Sequence, residues 1–222
     1  MELLTQLGST EGGWRLAEPL PSDGVDVSQY FSHPRPEIAQ VVPETADSVL
    51  ELGCAAGAMG SAIKQRQNCT YIGIEMNSGA AAVASRSLDA VLVGDIEAGP
   101  LPLPDQSMDC IICADILEHL ADPWQILREL RRIIQPGGTI VASVPNIQNV
   151  DIMQAIMNGR WDYLDAGILD QTHLRFFTRS TFQEALAHAG FTITAATSPC
   201  SPSMHRWSIS PIQPTGESRS ES

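Results

Sequence analysis

The sequence predicts an α/β domain built on a doubly wound, mostly parallel sheet with helices on both faces. Three observations carry this expectation. Strand-like and helix-like stretches alternate from about residue 48 to residue 194. The strand-like runs around Val49, Tyr71, Val91, Ile111 and Ile140 are continuously apolar, as strands covered on both faces are. The first run leads through a tight turn of small residues straight into a helix.

That first unit organises the rest. Val49 to Leu52 read as a strand, Gly53 to Gly57 as the turn, and the residues after Gly57 as a helix running towards Gln65. Such a turn exposes backbone N–H groups to a polar or anionic ligand, and its small side chains let that ligand come close. A dinucleotide site would carry G-x-G-x-x-G, but Ala55 stands at the second glycine position. A phosphate loop would need Gly-Lys-Ser/Thr, which is absent.

Upstream, residues 1–28 are broken by Gly12, Gly13, Pro19, Pro21 and Gly24 and read as a loose arm. A short helix is expected between Ser28 and Val42, with Tyr30 and Arg35 either closing over a ligand or packing on the sheet edge. Downstream, a strand ends at Glu75, 22 positions after Gly53. An acid there is placed to bind a ribose diol, as in several nucleoside-binding sheets. A small-residue helix from Ser78 to Ser87 leads to a third strand ending at Asp95. By its own chemistry Asp95 is a turn acid, since Asp often starts loops.

The fourth strand spans Asp109 to Asp115 and carries Cys110 and Cys113, which three-residue spacing sends to opposite faces as buried hydrophobes. A helix follows, with Asp122 as N-cap, Pro123 at the first position and Gln125 completing a capping box. Pro136, Gly137 and Gly138 are expected to end it before a fifth strand reaching Asn146. Residues 147–171 are too long for a plain connection and predict a lid, with a short amphipathic helix and then Trp161 and Tyr163. Ser180 and Gln183 suggest a second capping box, Gly190 a helix end, and residues 191–198 a sixth strand. A weakly marked strand over 207–212 precedes a disordered tail. The domain proper is therefore expected over 29–198, with 199–222 as a tail.

The chain of 222 residues suggests one domain. With 26 acidic and 13 basic residues the net charge is −13, which disfavours nucleic acid as a partner. Five cysteines without a disulfide pattern, and no long apolar span, point to a soluble protein of the reducing cytoplasm. No membrane partner is expected, and the oligomeric state is left open.

The ordered set VLELGCAAG, YIGIE, VGDIE, CADILEHL, PGG, PN and THLRFFTR resembles a bacterial class I S-adenosylmethionine (SAM) methyltransferase family associated with polysaccharide or specialised-metabolite biosynthesis. The resemblance covers roughly Tyr30 to Thr194 and implies a Rossmann-like sheet of about seven strands with a reversed final hairpin. It implies a SAM site at Glu51, Gly53, Cys54, Ala55, Gly57, Glu75, Met76, Asp95, Ile96, Ala114 and Asp115. A small-molecule acceptor, with its methyl-accepting oxygen on a sugar or specialised metabolite, would meet Asn146, Trp161 and Tyr163.

Methyl transfer is an in-line displacement in which positioning matters most. An alkyl hydroxyl also needs a base or a metal. His119 and His173 are the candidate bases, since imidazole titrates near neutrality. Asp115, Glu118, His119 and His173 also resemble the E-x-x-E-H plus His metal site of small-RNA 2′-O-methyltransferases and ubiquinone-pathway O-methyltransferases. Mg²⁺ or Mn²⁺ is admitted by that ligand set but is not the favoured expectation. The alternatives are a metal-assisted RNA 2′-O-methyltransferase and a SAM-binding scaffold without turnover.

Overall fold

The computed structural model describes residues 13–19, 35–194, 196–197 and 206–214. The elements in chain order are β1 (Arg15–Leu16), α1 (Pro36–Ala39), β2 (Ser48–Leu52), α2 (Ala58–Arg66), β3 (Thr70–Glu75), α3 (Ser78–Ala84), β4 (Ala90–Val93) and β5 (Met108–Ala114). After a 3₁₀ turn (Leu117–His119) come α4 (Pro123–Ile133), β6 (Ile134–Pro145), α5 (Val150–Met157), α6 (Arg179–His188), β7 (Phe191–Ile193), β8 (Ala196–Thr197) and β9 (Arg206–Pro214).

Among the described residues nine strands form one sheet in the order β1-β4-β3-β2-β5-β6-β9-β7, with β8 paired to β9. The five strands β4-β3-β2-β5-β6 are parallel, and β9 runs antiparallel between β6 and β7. The doubly wound, mostly parallel class is therefore present, including the reversed final hairpin. The count exceeds seven because of the two-residue strands β1 and β8.

Apolar residues on both faces explain the layers. Val49, Tyr71, Val91, Cys110 and Ile112 pack with Met59 and Ile63 of α2 and Ala81 and Ala84 of α3 on one face. Leu50, Leu52, Ile72, Ile111 and Cys113 pack with Ile126, Leu127 and Leu130 of α4 and Phe182 and Leu186 of α6 on the other. Cys110 and Cys113 thus fall in opposite cores, as strand alternation requires. Strand order reverses between β2 and β5, and the carboxyl ends there frame a crevice.

Several boundaries differ from the sequence expectation. The described part of the 28–42 helix is only Pro36–Ala39, and Tyr30 lies outside the described residues. The helix after Asn77 stops at Ala84. The segment with Pro136, Gly137 and Gly138 does not end α4. Ile134 is already extended, and these residues form a bulge in β6, where pairing jumps from Met108↔Ile134 to Cys110↔Thr139. A residue before proline is driven out of the helical region, so the chain leaves the helix before its glycines.

The cap of α6 is Thr178, not Ser180. The Thr178 hydroxyl accepts from Thr181 N–H (3.2 Å) while the Thr181 hydroxyl accepts from Thr178 N–H (2.9 Å). The expected loose arm contains β1, which pairs with β4, and Trp14, which is 6% exposed. The final strand spans 206–214 rather than 207–212.

Candidate functional site

A cleft of about 720 Å³ opens over the carboxyl ends of β2, β3, β4 and β5. Its size lies within the range that holds a drug-sized ligand. Its floor is the turn after β2. Gly53, Ala55 and Gly57 all have positive φ (70°, 49° and 78°). Ala55 pays for that conformation, since a Cβ crowds the left-handed region by roughly 1–2 kcal/mol. The turn is held because Gly53 N–H and Cys54 N–H both donate to the Ile74 carbonyl, at 2.8 and 3.0 Å.

Glu75 completes this frame. Its Oε2 accepts from Ala55 N–H (2.9 Å) and its Oε1 from Asn77 N–H (2.8 Å). The carboxylate is thus fixed in orientation at the strand's end, with further lone pairs to offer. Asn77 in turn caps α3, accepting from Gly79 and Ala80 N–H groups. Asp95 lines the cleft and its Oδ1 accepts from Glu97 N–H (2.9 Å), so the turn role is present. Glu97 reaches on to accept from Ala121 N–H (2.9 Å) and Asp122 N–H (2.7 Å), tying the loop after β4 to the segment that follows His119.

Glu51 is 4% exposed, and its Oε2 accepts from the Tyr71 hydroxyl at 2.7 Å. Burial pushes its carboxyl up to about 7, with nearby Glu75 adding to the rise and the Tyr71 hydrogen bond opposing it. Burial likewise pushes the Cys54 thiol well above its usual range, so this cleft cysteine is an inert thiol. Asp115, with φ 52°, also lines the cleft. One of its oxygens accepts from the Ser143 hydroxyl (3.0 Å) and the other pairs with Arg35, which also reaches Glu37 at 2.6 Å. Arg35 therefore bridges from the head of α1 to the end of β5.

The two histidines meet at the other end of the cleft. His119 and His173 lie edge to face with ring centroids 4.7 Å apart. His119 Nδ1 is 3.3 Å from the Thr172 carbonyl and 3.2 Å from its hydroxyl, and His173 Nδ1 is 3.0 Å from the Ile168 carbonyl. A carbonyl can only accept, which assigns the proton of each neutral ring to Nδ1 and leaves Nε2 as the acceptor nitrogen. Burial lowers the His119 pKa, and the neighbouring His173 lowers it further. Burial pushes the Asp170 carboxyl up, but the Thr172 hydroxyl and backbone N–H bonds, with the two histidines nearby, hold it below its usual range.

Glu118 is 1% exposed, and one ligand atom from each of Glu118, His119 and His173 falls within 4.8 Å of the others. Asp115, the fourth residue of the expected metal set, is outside this cluster and engaged by Arg35 and Ser143. One carboxylate and two imidazoles are a donor set that a divalent ion accepts.

The cleft brings together Glu51, Gly53, Cys54, Ala55, Glu75, Met76, Asp95, Ile96, Ala114, Asp115, His119 and His173. Gly57 does not line it and instead packs at Ala84. Asn146, Trp161 and Tyr163 are not lining residues either. The Asn146 side chain turns back to cap its own loop, accepting from Gln148 N–H at 2.8 Å. Sequence reasoning missed Glu97, Ala166, Gly167, Asp170 and Thr172. The pair Asp170 and Thr172 just before His173 was the available signal, since Asp and Thr two apart favour a side-chain turn.

A family model described as a methyltransferase domain matches residues 26–196. A ubiquinone biosynthesis O-methyltransferase from Pseudomonas fluorescens (strain SBW25) is 35% identical over 104 residues, 44% of each chain. The chain spans half or less of the length of the curated relatives it matches. Among solved structures, a chain from the complex between the Haloferax volcanii Trm112 methyltransferase activator and a methyltransferase aligns with TM-score 0.65 and 18% identity, over 85% of this chain and 91% of that one. An S-adenosylmethionine-dependent methyltransferase from Mesorhizobium loti aligns with TM-score 0.63 and 16% identity, over 80% of this chain and 96% of that one. Likeness at such identity concerns the fold alone.

Proposed function

Because the chain belongs to the methyltransferase-domain family of the class I, S-adenosylmethionine-dependent fold, we propose that it transfers a methyl group from S-adenosylmethionine to an oxygen of a small-molecule acceptor. The observation that carries this reading is one cleft lined by a fixed carboxylate, Glu75, over a small-residue turn and by the paired imidazoles of His119 and His173.

The residues fit the cofactor. Glu75 would accept from the ribose hydroxyls, and Asp95 with Ile96 would hold the adenine. Gly53, Cys54 and Ala55 let the amino-acid portion approach the backbone, and the Arg35 guanidinium matches its carboxylate. When bound, S-adenosylmethionine supplies a methyl group on a sulfonium whose departure leaves a neutral thioether, so no acid is needed. His119 or His173 would take the acceptor's proton at Nε2, leaving the acceptor oxygen able to receive a methyl group. The Nδ1–carbonyl bonds keep each ring in the tautomer that can do so. We read 29–198 as the catalytic unit and the protein as cytoplasmic; the buried free thiols of Cys54, Cys69, Cys110 and Cys113 support a reducing compartment. Among the described residues no helix is long and apolar enough to cross a membrane.

A second reading has one observation in its favour, the grouping of Glu118, His119 and His173. These three would hold Mg²⁺ or Mn²⁺, with the Nδ1–carbonyl bonds orienting the rings. RNA as acceptor is disfavoured by the net charge of −13.

Calorimetric titration with S-adenosylmethionine and S-adenosylhomocysteine tests the site. Glu75→Ala should weaken both about 10- to 100-fold, the loss of charge-assisted hydrogen bonds. His119→Ala or His173→Ala should lower turnover about 10²–10⁴-fold with cofactor affinity kept. Full turnover in both histidine variants would remove the base, and loss of turnover with a chelator would favour the metal. Cofactor binding without any methyl release would leave a scaffold.

A further inference from the structure

We propose that Glu97 is a positioning residue for cofactor selection: it holds Asp95 in the orientation that accepts from the 6-amino group of the adenine, and so sets the discrimination between an adenine and a base with oxygen at that position. This rests on the methyltransferase reading above and adds to it the residue that makes Asp95 selective.

The loop after β4 is fastened to the sheet on one side. Gly94 N–H donates to the Glu75 carbonyl at 3.2 Å, and Gly94 lies against the Trp14 indole. Ile96 is buried in the core that also holds Leu117 and Leu120, while Asp95 and Glu97, on either side of it, line the cleft. Asp95 is exposed, and a hydrogen bond orients it: its Oδ1 accepts from Glu97 N–H at 2.9 Å. Its Oδ2 enters no hydrogen bond among the described residues. An amino group needs one acceptor, and Oδ2 is the oxygen open to it.

Glu97 is placed differently. Both of its oxygens are committed to the protein, Oε2 accepting from Ala121 N–H at 2.9 Å and Oε1 from Asp122 N–H at 2.7 Å. Those groups stand at the head of α4, whose N-cap is Asp122 and whose Ile126, Leu127 and Leu130 are buried. A carboxylate is favoured there by the partial positive charge of the helix N-terminus. Two bonds to one rigid element fix the Glu97 side chain, and with it the backbone N–H that orients Asp95. Asp95 is thus the group that touches the base, and Glu97 the group that supports it. Without that support the ligand itself must order an exposed carboxylate, at a loss of about two- to tenfold in affinity.

Discrimination follows from the same fixity. A 6-amino group donates to Oδ2, whereas a 6-oxo group sets a lone pair against it, so the ratio of the two affinities contains an attraction and a repulsion. A carboxylate able to swing away loses the attraction and relieves the repulsion, and can reach the ring N–H that the 6-oxo base carries beside its oxygen. Each change shrinks the ratio.

The test is calorimetric titration of the full chain with S-adenosylhomocysteine and with S-inosylhomocysteine, which carries oxygen in place of the 6-amino group. Wild type should prefer the first by about 10- to 100-fold, as one hydrogen bond to a carboxylate provides. Asp95→Ala should bring the ratio close to one. Glu97→Ala should cut it at least about threefold, and in an Asp95→Ala background should lower S-adenosylhomocysteine affinity by less than in wild type. Glu97→Gln, which keeps one accepting oxygen, should give an intermediate ratio, and decides the matter if Glu97→Ala does not fold. Equal weakening of both ligands in folded Glu97→Ala, or an unchanged ratio in folded Glu97→Gln, would make Glu97 a brace of the fold alone and overturn the proposal. A wild type that binds both ligands equally would also overturn it and leave the methyltransferase reading standing. If S-adenosylhomocysteine itself fails to bind wild type, the methyltransferase reading fails.

Discussion

Two residues of the cleft carry conformational or electrostatic strain that can be measured. Ala55 adopts φ 49°, a conformation a glycine holds without a Cβ clash. Ala55→Gly should therefore raise stability in urea by about 1 kcal/mol, despite the greater freedom glycine brings to the unfolded chain. A loss of stability would mean that the alanine methyl makes compensating contacts. Glu51 is the second case. Its folded-state pKa of about 7 lies above its ordinary 4.5, so between these values the folded state binds more protons than the unfolded state. Stability is thus undiminished below pH ~4.5, falls as pH rises, and by pH 8 has lost about 3 kcal/mol to this one group. Glu51→Gln keeps an acceptor for the Tyr71 hydroxyl and removes the titration. The variant's stability relative to wild type should climb between pH 5 and pH 8, read from urea unfolding at each pH. A constant difference would show that Glu51 titrates normally.

At the scale of elements, packing of one side chain supports the pairing of β1 with β4. A Cβ at Gly94 would stand 2.4 Å from Trp14 Cε3, so the absent side chain makes room for the indole that anchors β1. Gly94→Ala should cost about 1–3 kcal/mol through displaced packing. In a Trp14→Ala background the same substitution should cost far less, because the clash is gone. Equal costs in both backgrounds would place the effect elsewhere. Other elements follow local chemistry closely. Asp122 and Pro123 start α4, with Asp122 Oδ1 accepting from Gln125 N–H at 2.9 Å, and those two residues announce the helix in the sequence itself. The start of α6 was misplaced by two residues because Thr178 and Ser180 carry equally good capping hydroxyls. Only the three-dimensional entry angle selects between them.

For the whole molecule, legibility follows contact range. The turn after β2, the acid at Glu75 and the alternation of strands with helices arise from neighbouring residues, and each was readable. The Arg35–Asp115 pair joins residues 80 positions apart, the Glu97 bonds to Ala121 and Asp122 join residues 24 and 25 apart, and the histidine pair is assembled across a similarly long separation. No local pattern encodes such meetings; they follow from which strand ends the sheet gathers. The same holds for the last strand. Its segment is rich in Ser and Pro, which lowers strand propensity, yet it forms because β6 and β7 offer complementary edges.

The position of β9 has a consequence for how the protein is made. It is the last described strand in the chain but an interior one in the sheet, and both β7 and β8 pair with it alone. A chain emerging from the ribosome can assemble β2 through β6 early. It then waits with one side of β6 open, its backbone amides and carbonyls facing solvent, until residues 206–214 arrive to slot in. That interval is the period of greatest exposure to mispairing. It lasts while residues 146–214, which carry α5, α6, β7 and β8 as well as β9 itself, are being made.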